Sequence, residues 1–258
     1  MLVLAEHPFE VLLGLLIGLL LALEVGRVLG RRQLAAAGGT QVGTSAVDGV
    51  IFALLGLLLA FTFTGAAQRF DVRRELIVTE ANAIGTAYLR VDVAPAAAQP
   101  ALRLAFKRYI ASRIEVNRGV RDFDEFKARL AKSNALQKEV WRLAVEAGRR
   151  PDASPATNML LLPALNDMID ITTTRAMATQ MHPPAVVYLM LFALALSGAV
   201  LAGHGMAGST RRGWLHSISF VVIMSLALYL ILDLEFPRLG FITVDDFERM
   251  VVKLTSSG

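Results

Sequence analysis

Two short runs gather ionisable side chains that could hold or move a charge. In NDMID, Asn166 and Asp170 stand four residues apart, Asp167 falls on the adjoining helical face, and Arg175 follows five beyond Asp170. In DLEFPR, Asp233, Glu235 and Arg238 surround Pro237, a residue that stops a helix. Two carboxylates and an amide are too few oxygen ligands for calcium. The NDMID acids are therefore expected to pair with Arg73, Arg74 or Arg90 and brace a helix, and the DLEFPR acids to pair with basic residues at the same interface. The four histidines, His7, His182, His204 and His216, are scattered, and none forms the two-ligand helix turn of a metal site. There is no G-x-S-x-G elbow, no glycine-rich loop between a strand and a helix, and no carboxylate with a recognisable acid–base partner. Cysteine is absent, which excludes disulfides, thiolate metal sites and cysteine nucleophiles. The chain reads as neither an enzyme nor a holder of a metal or cofactor.

The elements that carry these residues are membrane helices. Of 258 residues, 55% are hydrophobic and 19% charged, with a positive mean hydropathy. That apolar share exceeds the roughly 45–50% of soluble domains, and the excess comes in blocks. Pro8–Leu29, Ala46–Ala67, Pro184–Gly203 and Trp214–Leu234 each offer about the 20 apolar residues that cross a bilayer. The first is read as an uncleaved span, because MLVLAEHPFE is acidic and the apolar run outlasts a signal peptide's core of roughly 7–15 residues. The formal net charge of +4 comes without a basic stripe, so nucleic acid is not an expected partner.

Between spans 2 and 3 lies a helical region. Leu102, Phe106, Tyr109 and Arg113 share one helical face. Phe123, Phe126 and Leu130 begin another stripe that Leu136, Val140, Leu143 and Ala147 continue. Pro95 and Pro100 precede the first of these helices and RRPDASP ends the second. The expected organisation is transmembrane helices 1 and 2 over 1–67, an extramembrane helical domain over 68–182, transmembrane helices 3 and 4 over 183–236, and a tail over 237–258. The fold class is an all-α integral membrane protein. Arg27, Arg31 and Arg32 follow span 1, and Arg211 and Arg212 separate spans 3 and 4. Positive-inside reasoning puts these short loops in the cytoplasm and the helical domain outside, against the pull of Arg69, Arg73 and Arg74 at the exit of span 2.

Span 2 is the unusual element. LLLAFTFTGAAQRFDVRRELIVTEANAIGTAYLR, Leu57 to Arg90, begins as lipid-soluble helix and ends as a charged one, with only Gly65 and Gly85 as interruptions. Span 1 carries Gly14, Gly18, Ala22, Gly26 and Gly30 at every fourth position. Span 2 carries Gly49, Ala53, Gly56, Ala60, Thr64 and Ala67. Such stripes let helix backbones approach closely, either within one subunit or between copies of span 2 around an axis. A second face of span 2 holds Asp48, Phe52, Leu55, Leu59 and Thr62, then Arg69 and Arg73, with Phe61 and Phe63 flanking Thr62. Its apolar members are candidates for a hydrophobic constriction that gates by dewetting, or else they face lipid. Beyond the bilayer, Glu75, Thr79, Asn82 and Thr86 make a polar stripe, which suits a solvated surface or a water-filled vestibule.

The stretch LLAFTFTGAAQRFDVRRELIVTEANAIGTAYLR of this helix, with LPALNDMIDITTTR and LILDLEFPRLGFI, resembles a bacterial family of membrane proteins described as bestrophin-like, over nearly the whole chain. The link to bestrophins themselves rests on four spans, the long helical insert and the AF…RF…E run. Bestrophins are pentameric ion channels whose corresponding helix lines the pore with a hydrophobic neck. The resemblance implies neck residues at Leu59, Phe63 and neighbouring apolar positions. It departs at Arg69–Phe70, where bestrophins carry a tryptophan pair, and in the insert, which bestrophins keep in the cytoplasm. The acidic calcium clasp of animal bestrophins has no counterpart here.

The expected function is a homo-oligomeric, pentameric ion channel in the bacterial inner membrane. Phe52, Leu55, Leu59, Thr62 and Phe63 form its pore and neck. Asp48, Arg69, Arg73, Glu75, Thr79 and Asn82 form its vestibule. The partners are further copies of the chain, the lipid bilayer and small inorganic ions. Rings of Arg69 and Arg73 lean the expectation to anions, which rings of Asp48 and Glu75 would reverse. The alternative is a membrane-anchored scaffold or sensor that binds a partner or ligand through its helical domain.

Overall fold

A computed structural model describes residues 8–36, 45–117, 123–208 and 213–236. His7, Arg211, Arg212, Pro237, Arg238 and the expected tail 237–258 lie outside the described residues. The described chain is helical, with no strand among the described residues, and it forms two compact units, one within Met1–Phe70 and His182–Ile242, the other within Asp71–Met181. Four helices are long and apolar enough to cross a membrane, at Phe9–Ala36, Ala46–Val93, Ala185–Gly205 and Trp214–Glu235.

The first unit holds α1 (Pro8–Ala36), the start of α2 (Ser45–Leu89), α6 (Ala185–Gly205) and α7 (Trp214–Glu235). Lipid tails are as apolar as leucine, so burying leucine gains little there and helix pairs depend on close backbone approach. The α1–α6 contact is built that way. A Cβ on Gly26 would lie 1.9 Å from the Val200 carbonyl oxygen, and one on Gly203 would lie 1.9 Å from that of Leu23. Gly30 meets the Ala207 Cβ and the His204 carbonyl. Two of the five stripe positions, Gly26 and Gly30, thus serve close contacts within the chain, while Gly14 and Gly18 have nothing within 4 Å of an added Cβ. Close by, the buried Arg27 guanidinium donates to Glu24 Oε1 at 2.6 Å and to Ser217 Oγ at 3.0 Å, so its charge is paired as a membrane helix requires.

The second unit is the helical domain. It contains the rest of α2, a 3-10 turn at Arg90–Val93, α3 (Gln99–Asn117), α4 (Phe123–Gly148), a π turn at Thr157–Leu161 and α5 (Leu162–Ala178). The 3–4 periodicity of α3 is used in full, since Leu102, Phe106, Tyr109 and Arg113 are all buried. They meet Ile77, Ala81, Ile84 and Tyr88 of α2, Val140 and Ala144 of α4, and Leu165 and Met168 of α5. Tyr88 and Phe106 meet edge to face, with centroids 5.7 Å apart. The π turn has a local cause. Pro163 has no N–H for the carbonyl of Met159 and its ring crowds that oxygen, so the turn widens. Arg90 closes the widened backbone by donating from Nη1 to the Leu160 carbonyl at 2.9 Å.

Candidate pore helix and its charged anchors

α2 is 45 residues long, more than twice the roughly 20 that a span needs. Its 3.6-residue period divides it into two faces. One face is turned into the chain. In the first unit, Leu55 is 1% exposed and Ala66 fully buried. Phe52 meets Phe220 edge to face at 6.4 Å, and both Phe52 and Leu55 lie against Gly198 of α6. Leu59 and Thr62 are half-buried. The Thr62 hydroxyl donates back along its own helix to the Leu58 and Leu59 carbonyls at 2.7 and 3.1 Å. In the second unit the same face continues through Arg73, Ile77, Glu80, Ala81 and Ile84, all buried.

This inward face carries its charges already engaged. Arg69 grips Glu235 with both carboxylate oxygens, Nε at 3.1 and 2.9 Å and Nη2 at 2.7 Å. Glu235 is fully buried, and its Oε1 also meets His182 Nδ1 at 2.8 Å. Arg73 donates to the Ala178 and Met181 carbonyls, at 3.3 and 3.2 Å, where the end of α5 leaves orphan acceptors. Glu80, also fully buried, is held between Arg113 at 2.7 Å on one oxygen and Arg175 on the other. Burial pulls the Arg175 guanidinium down from its usual range, against the opposing pull of Glu80. Nearby Tyr109 is pushed up by burial; its hydroxyl accepts from Gln137, which also donates to Thr172 at 3.0 Å.

Among the described residues, the opposite face has no partner element. An added Cβ on Gly49 or Gly56 would touch nothing within 4 Å. Leu57 is 53% and Phe61 67% exposed, one turn apart. Ala53, Ala60, Thr64 and Gln68 are exposed beside them. Past the first unit, Asp71, Glu75, Thr79, Asn82 and Thr86 are exposed on the continuing face. Thr79 Oγ1 donates to the Glu75 backbone carbonyl at 3.0 Å, and Glu75 itself is exposed. The face therefore passes from apolar side chains, through hydroxyl and amide groups, to carboxylates.

A family model, the bestrophin-like domain, matches residues 11–246. The chain belongs to the bestrophin-like family. Its fold is that of a bacterial bestrophin homologue from Klebsiella pneumoniae. Two substituted forms of that homologue superpose with a TM-score of 0.69, at 15% and 16% identity, covering 93% and 94% of this chain and 99% of theirs. A further structure, described only as a membrane protein, gives a TM-score of 0.66 at 16% identity over 93% of this chain and 96% of that one. No curated protein matches the sequence.

For this bestrophin-like chain the sequence-derived site residues divide. Phe52, Leu55, Leu59 and Thr62 come together on the inward face, and Phe63 lies at its margin, 42% exposed. Leu55, expected in a pore wall, is 1% exposed and fills the space between α2 and α6. Arg69 and Arg73, expected as vestibule charges, each donate to acceptors within their own unit, and the Arg69 side chain stays 30% exposed. Asp48 is half-buried near the start of α2, whereas Glu75, Thr79 and Asn82 are exposed. In NDMID, Asn166 donates to Asp170 at 2.9 Å, and the partner of Arg175 is Glu80. The sequence reading weighed Phe61 as gate or core, and it missed Glu80, the contact of His182 and the exposure of Leu57. One signal for Glu80 was present: Arg113 lies on an otherwise apolar face, where a buried guanidinium demands a carboxylate.

Proposed function

We propose that the chain is a homo-oligomeric ion channel whose pore is walled by the outward face of α2. The observation that carries this reading is that face itself. It is apolar through the span and polar beyond it, and none of the described residues covers it. Copies arranged around an axis would bring Leu57 and Phe61 together as a dewetting neck. Thr64, Gln68, Asp71, Glu75, Thr79 and Asn82 would line the widening beyond. Small residues at Gly49, Ala53, Gly56 and Ala60 favour close approach of neighbouring copies, and a closed ring of five is the assembly the family resemblance suggests. Rings of Asp71 and Glu75 favour cations, opposed by the exposed Arg74 between them, whereas the sequence reading leaned to anions. Helical spans suit the bacterial inner membrane, with the basic end of α1 at Arg31 and Arg32 on the cytoplasmic side.

The test is flux through purified protein in liposomes, with cysteine accessibility beside it. Leu57→Ala and Phe61→Ala should raise sodium or potassium flux several-fold. Single cysteines at Leu57 and Phe61, in a chain with no other thiol, should react with a water-soluble reagent, and one at Leu55 should not. If a folded oligomer passes no ion and the Leu57 and Phe61 thiols do not react, the face is covered by lipid or protein. The membrane-anchored scaffold then replaces the channel.

A further inference from the structure

The end of α1 carries more positive charge than its surroundings answer. Arg27 is buried and satisfied by Glu24 and Ser217, but Arg31 and Arg32, about one turn further on, are exposed. Among the described residues, neither forms an ion pair or a side-chain hydrogen bond. The connections at this end, residues 37–44 and 206–213, contain no Asp or Glu and add Arg211 and Arg212. Against these four guanidinium groups stands one carboxylate, Asp48 in the first turn of α2. The depth of Arg31 follows from the packing. Gly30 lies against Ala207, just beyond α6, so α1 and α6 end together and α7 starts there and runs back. The bond from Arg27 to Ser217 sets the register of α1 on α7. One turn toward this end from each partner brings Arg31 level with Gly213 and Trp214. Trp214 is 52% and Leu215 77% exposed, and an exposed Trp at the end of a span marks the headgroup level of a bilayer.

We propose that this end of the first unit is a binding surface for an acidic glycerophospholipid, with Arg31 as the ligand of its phosphodiester. The guanidinium fork takes two phosphate oxygens at once, and Arg32 adds a second positive charge beside it. The acyl chains lie along the exposed apolar side chains below, Val28 on α1 and Leu215 and Ile218 on α7. A zwitterionic lipid brings its own ammonium group, which the arginines repel, so the net charge of the headgroup decides the choice. Free phosphate offers the same oxygens but no chain to lie against Trp214 and Leu215. The lipid is therefore the occupant that satisfies both the charge and the apolar surface. This site stands whether or not the channel conducts.

The experiment reads the lipid beside Trp214 and not ion flux. The chain has two tryptophans, so Trp141→Phe leaves Trp214 as the sole emitter. This parent is reconstituted in vesicles of phosphatidylglycerol and phosphatidylcholine, with brominated acyl chains on one lipid or the other, and quenching gives the relative affinity of the two. Phosphatidylglycerol should be preferred, and the preference should fall roughly fivefold for each guanidinium removed, in Arg31→Gln and again on adding Arg32→Gln. Arg31→Lys with Arg32→Lys keeps both charges and should hold most of the preference. Inorganic phosphate, compared with chloride at equal ionic strength, should not displace the lipid. Equal quenching by both lipids in the parent would overturn the site, as would a preference that survives the glutamine pair or is lost as fully in the lysine pair. Displacement by inorganic phosphate alone would assign the arginines to soluble anions and overturn the lipid. Each of these results leaves the channel reading untouched.

Discussion

The two faces of α2 use the same helix for opposite purposes. The inward face buries Leu55, Ala66, Ile77 and Ile84 and satisfies each charge it carries: Arg69 on Glu235, Arg73 on backbone carbonyls, Glu80 between two arginines. The outward face exposes Leu57, Phe61, Asp71 and Glu75. A charge that is buried and bonded reports on folding, whereas an exposed charge on an uncovered face is available to an ion or a neighbour. Net charge at the exit of span 2 is therefore a poor guide to the ion the protein meets, because two of the arginines there, Arg69 and Arg73, are spent on structure. The glycines repeat the lesson: those of α1 at Gly26 and Gly30 are filled by α6, and those of α2 at Gly49 and Gly56 are open.

Substitutions can break this contrast in a graded way. The largest effect is expected at Glu80→Gln, which leaves Arg113 and Arg175 buried around a neutral amide. Loss of one partner from a buried ion cluster costs about 3–5 kcal/mol, visible as a lowered midpoint in thermal unfolding. Next is Gly203→Val, whose side chain meets the Leu23 carbonyl at once. A cost on the order of 1–3 kcal/mol is expected, and Gly56→Val should leave subunit stability unchanged while altering oligomer size or flux. A stability loss at position 56 as large as at 203 would erase the distinction between filled and open glycines.

Smaller effects sharpen the contrast. Asp71→Asn with Glu75→Gln should move stability by less than about 0.5 kcal/mol, as exposed substitutions do. The same pair should lower the permeability of potassium relative to chloride in reversal-potential recordings. An unchanged ratio would remove these carboxylates from the conduction path. The smallest effect concerns Tyr109. Burial raises its phenol above the usual range, so the folded state keeps the proton after the unfolded chain would lose it. The contribution is intact below about pH 10 and is lost as pH rises beyond. Alkaline unfolding of Tyr109→Phe should begin at higher pH than that of the parent.

Much of the architecture was legible because periodicity and length are local properties. Four apolar blocks, an unbroken helix through Gly65, and the buried run Leu102, Phe106, Tyr109, Arg113 could all be read from spacing. The direction of the two faces of α2 could not. Phe52 and Leu55 differ little in chemistry from Leu57 and Phe61. A membrane helix is apolar on every side, so its core-facing side leaves no amphipathic mark. Glu80 was hidden for a related reason, since its partners Arg113 and Arg175 are 33 and 95 residues away along the chain.

By itself the sequence determined a four-span helical membrane protein with a helical domain carried on α2, without cysteine chemistry. Hydrophobic length and the 3.6-residue period set those features, and they act residue by residue. Tertiary structure alone decided which charges are spent and which are left: that Arg69 belongs to Glu235, that Glu80 joins α2 to α3 and α5, and that His182 covers a buried carboxylate. Such pairings depend on which distant segments meet in low dielectric, where an unmatched charge is too costly to keep.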